Sequence, residues 1–461
     1  MYYKGGITTG EKIRPCLHNN EKHNFAGTLI IIIQSTMGVL NGTNSLESLF
    51  IKEDGVATET SIAQSKTEAS VYHIYKAAQE TSLLKTIKLN REEHIDYVLK
   101  GLKGLEKYFV GLDASKPWLC YWMLHSLDLL GHKIDKNLIK GGISTISKLQ
   151  NPTGGFAGGI GQISHAAVTY AAVNALAILG TKEAYDLIDR ENLYKWCLKL
   201  KKPDGSFTMH EDGEVDIRGA YCILSVATLV NIITPELIEG TAEWIKSQNF
   251  DGGIGGEPGI ESHGGYAFCG LAAMEIMNET NMIDIPLLLH WATSLQMQLE
   301  GGFQGRPNKL VDGCYSFWVG ALFPLIEAIL TRQIVEKDDK PSSHITEALQ
   351  EYILIACQYK NGGLVDKPTR RPDYYHTSYC LSGLSTAQHH MVYDIIKAKS
   401  LQGNTTLDAC ARSLLWSDDI LQRVVLGNPK NIVNATHPVH NITVPKVHNI
   451  INYFKDKKLF D

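Results

Sequence analysis

Asp312, Gly313 and Cys314 open an apolar run, "DGCYSFWVGALFPL", and His376 follows 62 residues after Cys314. Carboxylate, thiolate and imidazole form a mixed oxygen, sulfur and nitrogen donor set that suits zinc. Three protein ligands leave one coordination position open, as catalytic zinc sites do. Residues two apart do not face each other within a regular helix. Asp312 and Cys314 can therefore converge only where the chain turns into the helix, and Gly313 supplies the freedom to turn there. As a bare spacing this pattern is weak, since a cysteine on an apolar run is as readily a core residue.

Cations stand nearby. Arg306 and Lys309 precede the Asp-x-Cys element. A guanidinium fork and a point-charge ammonium suit a diphosphate, with the phenol of Tyr315 as a further donor; taken singly, each cation also fits a solvated turn. Aromatic residues supply a third ingredient. Trp118 and Trp122 are four apart and share a helix face, and Trp318, Tyr266, Tyr375 and Tyr379 belong to other apolar segments. At helical spacing such residues are more often core than a ligand box.

The elements that must position these groups repeat. "NPTGGF", "KPDGSF", "NFDGGI", "LEGGF" and "YKNGGL" place equivalent residues at 155, 206, 253, 302 and 363, a period near fifty. Such a period marks a supersecondary unit stacked on copies of itself. Each turn leads to an apolar run opened by Tyr170, Tyr221, Tyr266, Tyr315 or Tyr379, then to a more polar helix. Helices apolar on nearly all sides want burial and amphipathic ones want one wet face. The segment "KPWLCYWMLHSLDLLG" reads as one more inner helix. The pattern predicts an all-α chain, an α/α toroid of about six hairpins with inner and outer helix rings. Counting three residues back from each tyrosine gives Ala167, Arg218, His263, Asp312 and His376, which predicts ionisable groups around one rim; helix capping is the alternative reading of those positions.

Composition is that of a globular protein, 44% hydrophobic and 20% charged, with net charge −5. That balance argues against a bulk nucleic-acid partner. Nine scattered cysteines read as reduced thiols of a cytoplasmic protein. The apolar stretch at 25–40 is too short and too interrupted for a membrane span. We expect a poorly ordered or artefactual extension over 1–55, the barrel over 56–448 and a tail over 449–461.

The segments "KPDGSFTMHEDGEVDIRGAYC", "GGFQGRPNKLVDGCYSFW" and "DYYHTSYCLSGLSTAQH" resemble the protein farnesyltransferase β-subunit family, and the similarity extends over about 56–448. The resemblance implies an enzyme that moves a farnesyl group from farnesyl diphosphate to a C-terminal Cys-a-a-X thiol. It implies one Zn²⁺ on Asp312, Cys314 and His376, and diphosphate binding by His263, Arg306, Lys309 and Tyr315. It places Mg²⁺ at Asp366, an isoprenoid funnel on Arg218, Tyr221, Tyr266, Cys269 and Trp318, and a funnel floor closed by Trp118 and Tyr379. The acceptor peptide falls to Trp118, Trp122, Tyr375, His165 and Ala167. It also implies an obligate α-subunit partner. A geranylgeranyltransferase β subunit is the alternative within the family. A toroid glycoside hydrolase, which needs two opposed carboxylates, and a non-catalytic toroid that binds protein are the alternatives outside it.

Overall fold

A computed structural model describes residues 38–459 apart from 41, 43, 52–54, 82–85, 249–250, 335–345 and 401–404. Six inner helical segments form a closed ring: α1 (Lys116–Leu129), α2 (Ala166–Leu179), α3 (Ile217–Leu229), α4 (Gly264–Met277), the broken pair α5 (Tyr315–Trp318) and α6 (Leu322–Ile334), and α7 (Tyr374–Gln388). Each packs on the next, and α7 packs back on α1. The sequence dictates this. In α2 every residue but Ala167 is buried, so its alanine-rich surface must face protein on all sides. It stops at Gly180, whose φ of 68° is the left-handed conformation that ends helices. The interruption between α5 and α6 precedes Pro324, which has no N–H to give the Gly320 carbonyl.

Outer helices cover the ring at 91–103, 136–147, 190–200, 241–246, 285–294 and 346–356. Arg190–Leu200 shows why they lie outside: Leu193, Tyr194, Trp196, Cys197 and Leu200 are buried at helical spacing while charged residues face water. The glycine turns dock on these helices. A Cβ at Gly205, where φ is 93°, would lie 2.1 Å from the Gly240 carbonyl oxygen, and one at Gly362 would lie 2.0 Å from that of Glu93. The Gly362 contact closes the ring, because the last glycine turn packs on the first outer helix.

One backbone rung repeats around the mouth. The N–H groups of Lys116, Ala166, Ile217, Gly264 and Gly313 donate to the carbonyls of Gly158, Met209, Gly256, Gly305 and Asp366, at 2.7–3.0 Å. These rungs define the true register, and it differs from the tyrosine count. The equivalent residues are Ser115, His165, Asp216, His263, Asp312 and, by the shared Thr169 and Thr377 bonds, Asp373. All but Ser115 accept a backbone N–H two or three residues ahead on their side chains. The rim is therefore built from helix caps, as the alternative reading held, and Ala167, Arg218 and His376 belong to the next positions along.

The other end of the ring is closed by the segment 436–443. The hydroxyls of Tyr121, Tyr170 and Tyr221 donate to the carbonyls of Asn441, His440 and Val439 at 2.6, 3.1 and 2.8 Å. His440 lies between the Ser225 and Ser413 hydroxyls at 2.8 and 3.0 Å.

Two expectations need correction. Residues 1–37 lie outside the described residues, but Val39, Leu40 and Leu46, inside the expected extension, are buried in the fold. Glu347 and Glu351 accept the Gly38 and Leu40 N–H groups at 3.2 Å. The barrel does not end at 448, because the helix Val444–Phe454 runs across that boundary and buries Ile450, Ile451 and Phe454. Beyond the last inner helix, Met391–Tyr393 pairs antiparallel with Trp416–Asp418, the only sheet among the described residues.

Candidate active site

The turn Asp312–Cys314 is held at both ends. Asp312 N–H donates to the Phe303 carbonyl at 3.0 Å and Gly313 N–H to that of Asp366 at 2.7 Å. The Cys314 N–H then donates back to Asp312 Oδ1 at 2.9 Å, which brings the carboxylate and thiol to one side. Across the rim, Asp373 fixes His376 twice: its Oδ1 accepts the His376 backbone N–H at 2.8 Å and its Oδ2 accepts Nδ1–H at 2.7 Å. His376 Nε2 then points 3.3 Å from Asp312 Oδ1. The ligand atoms of Asp312, Cys314 and His376 all lie within 4.8 Å of one another.

The donor chemistry fits a divalent, thiophilic cation. Burial pushes the Cys314 thiol up to about 12, beyond what His376 offsets, so only a strong cationic partner makes it a thiolate. Burial opposes charge on His376, yet the Asp312 and Asp373 carboxylates raise it to about 12. Burial likewise opposes ionisation of Asp312, but His376 holds it down at about 2. A carboxylate on the far ring nitrogen is the arrangement that orients metal-binding imidazoles. Asp373 was missed from the sequence, although Asp-x-x-His at a helix start is a visible signal.

Beside this cluster His263 accepts the Gly265 N–H on Nδ1 at 3.1 Å, so its proton sits on Nε2 and donates to the Tyr315 hydroxyl at 2.9 Å. The Tyr315 O–H is thereby left to donate outward. Burial first, then the Arg306 guanidinium, keeps His263 below the usual imidazole range and so neutral. Burial raises Tyr315 well above the ordinary phenol range. Arg306 is ion-paired with Glu261, 45 residues away in sequence. Lys309 is exposed, its backbone N–H bound to Gln304 Oε1 at 3.0 Å. The Asp366 carboxylate pairs with Lys367 Nζ at 2.6 Å. Arg218 is gripped in bidentate fashion by Asp216, at 2.8 and 2.5 Å. Glu261, Lys367 and Asp216 were not singled out from sequence; only Asp216 and Lys367 are near enough in the chain for a charge pattern to mark them.

A cavity of about 1000 Å³ opens next to the cluster. Its wall contains Trp118, Trp122, His165, Ala167, Arg218, Tyr221, Tyr266, Cys269, Trp318, Tyr375 and Tyr379, together with His263 and Tyr315. Trp118 stacks on Trp122 at 5.5 Å and Trp318 on Tyr379 at 4.6 Å, and Tyr375 meets both Trp122 and Tyr379. Trp318 Nε1–H donates to the Tyr375 hydroxyl at 3.1 Å, which fixes the box without using its apolar faces. His210 also lines the cavity, with its ring 5.8 Å from that of His165; no spacing or motif marks it. Asp312, Cys314, His376, Arg306, Lys309 and Asp366 lie outside the wall. Such a chamber, apolar in depth and polar at its lip, accepts a long hydrocarbon with an anionic head.

Comparison with known proteins adds three findings. The prenyltransferase alpha-alpha toroid domain matches residues 89–442. The protein farnesyltransferase subunit beta of Arabidopsis thaliana is 35% identical over 440 residues, 83% of this chain and 86% of the relative. The same subunit of Saccharomyces cerevisiae is 39% identical over 409 residues, 86% of this chain and 87% of the relative. In structure, Candida albicans protein geranylgeranyltransferase-I complexed with GGPP matches with a TM-score of 0.57 at 19% identity, covering 80% of this chain and 99% of that one, which supports the fold.

Proposed function

The chain belongs to the protein farnesyltransferase β-subunit family of prenyltransferase toroids, and on that premise we propose that it carries a farnesyl group from farnesyl diphosphate to the cysteine thiol of a C-terminal Cys-a-a-X motif, as the β subunit of a cytoplasmic heterodimer. The observation that carries this reading is the convergence of Asp312, Cys314 and His376 beside an aromatic-lined cavity. Zinc held by these three residues would leave one position for the acceptor sulfur and make it a thiolate near neutral pH.

The chain's own residues do the rest. The cavity wall binds the hydrocarbon and keeps water from its first carbon. Tyr315, with its proton free to donate because His263 supplies the other bond, faces the diphosphate. Arg306 and Lys309 add positive charge where charge develops on the leaving group. Arg306 must exchange Glu261 for phosphate, and Asp366 must exchange Lys367 for the Mg²⁺ that accompanies the diphosphate. The carbon–sulfur bond forms as the carbon–oxygen bond to diphosphate breaks, and the thiol proton leaves to solvent. The test is donor choice: the complex reconstituted with an α subunit is offered farnesyl and geranylgeranyl diphosphates with peptides ending in Met, Ser or Leu. Farnesyl transfer to the Met and Ser peptides is expected; preference for geranylgeranyl and Leu would overturn the assignment.

A further inference from the structure

Each glycine turn docks at one register on an outer helix. Gly154, Gly205, Gly252, Gly301 and Gly362 face the carbonyls of Asn192, Gly240, Leu287, Ala348 and Glu93. Four residues beyond each of these stands an aromatic: Trp196, Trp244, Trp291, Tyr352 and Tyr97. Where the contact is visible, the ring lies over the next residue of the turn, as Trp196 does over Gly155, Trp291 over Gly253, Tyr352 over Gly302 and Tyr97 over Gly363. The residue is tryptophan in the three hairpins that carry none of Asp312, Cys314 and His376. It is tyrosine in the two that carry them.

Both hydroxyls are used. Tyr352, fully buried, donates to the Asp366 carbonyl at 2.7 Å, the same oxygen that accepts the Gly313 N–H between Asp312 and Cys314. Tyr97 donates to the Pro372 carbonyl at 3.2 Å, one residue before the Asp373 carboxylate that fixes His376. The Trp291 indole N–H, in contrast, is buried without a partner among the described residues. The Tyr352 segment itself, Tyr352–Ala356, is wound as a π-turn, a local departure that recurs at functional sites.

We propose that Tyr352 and Tyr97 are positioning residues for the metal-binding constellation: Tyr352 sets the Asp312–Cys314 turn through the Asp366 carbonyl, and Tyr97 sets the segment leading into His376. This rests on the reading of the cluster as a zinc site. Outer-shell groups of this kind govern how tightly a metal is held. Tyr352→Phe leaves no orphaned polar group, because the Asp366 carbonyl keeps Gly313 as a donor, and Tyr352→Trp installs the residue that the other hairpins carry in this place. Tyr75 is a matched control: it is equally buried, and its hydroxyl donates to the Glu300 carbonyl at 2.7 Å, beside the same glycine turn but on neither the Asp366 nor the Pro372 carbonyl.

The experiment uses the zinc-loaded heterodimer and measures zinc loss to excess chelator, with the thiolate-to-metal absorption of the cobalt-substituted complex as a second readout. Tyr352→Phe and Tyr352→Trp are expected to release zinc about ten-fold faster and to shift the cobalt band. Tyr97→Phe should act in the same sense but less. Tyr75→Phe should lower the melting temperature while leaving both readouts in place. If the Tyr352 variants hold zinc as the Tyr75 variant does, the inference is wrong. If the unmutated complex binds no zinc at all, the functional reading fails and takes this inference with it.

Discussion

The mouth and the floor of the ring are both built with histidines, and they treat them in opposite ways. At the mouth His376 sits between two carboxylates, which raise it to about 12. At the floor His437 and His125 are buried among neutral partners and fall to about 3, and burial also drives His440 far down. His440 uses both ring nitrogens on serines, and His437 takes the Val439 N–H while giving its own proton to the Ser413 carbonyl. The same side chain is thus a charge acceptor where carboxylates surround it and a neutral structural link where they do not. The mouth keeps donors converging on a point; the floor spends His437 and His440 on its own neighbours, with His125 Nδ1 and Asn441 Nδ2 left unpaired among the described residues.

The largest test of this contrast is Cys314→Ala in the heterodimer. Bound zinc and farnesyl transfer should fall together, the latter by about two orders of magnitude or more, measured by metal analysis and turnover; full activity would remove Cys314 from the chemistry. Next is His440→Ala at the floor, which strands the Ser225 hydroxyl in the interior and empties the space of the ring, while Ser413 keeps the Ala409 carbonyl. It should cost about 3 kcal/mol of stability, read from denaturant melts, with zinc content unchanged. Asp373→Asn follows. It keeps a cap but loses the carboxylate behind His376, and metal affinity should drop by about ten-fold, read by chelator titration. The last test is in pH. The folded value of His125 is lowered, so its contribution is complete above about 6.5 and is lost as pH falls toward 3. The loss is about 1.4 kcal/mol per pH unit. His125→Gln should flatten the stability profile over that window by this slope, and an unchanged slope would show that His125 is not held neutral.

Much of the architecture was legible before any coordinates. The fifty-residue period of glycine turns and the apolar runs after them require six stacked hairpins, because neither helix type can bury its surface alone. The grouping of Asp312 and Cys314 followed from where two residues that are two apart can meet. The rim register was not legible. Tyr266, Tyr315 and Tyr379 look like Tyr170 and Tyr221 in the sequence, yet they stand at different distances from their helix caps, and only the backbone rungs reveal it. Arg306 and Glu261 were unreadable as a pair because folding, not spacing, brings them together. At the N-terminal side, Val39 has no local periodic partner and its burial is decided by a distant helix; at the C-terminal side, Val447, Ile450, Ile451 and Phe454 do recur at helical spacing, a signal that carries the fold past 448.

The docking of Gly362 on the helix at 91–103 has a consequence for synthesis. An open solenoid can add one repeat at a time and stay folded as it grows. This ring cannot, since one of its hairpins is assembled from segments some 270 residues apart in the chain. Until the fifth glycine turn has left the ribosome, the nascent chain is an arc whose alanine- and leucine-rich inner face lies open to its neighbours. Birth, more than maturity, is the stage at which this polypeptide needs protection.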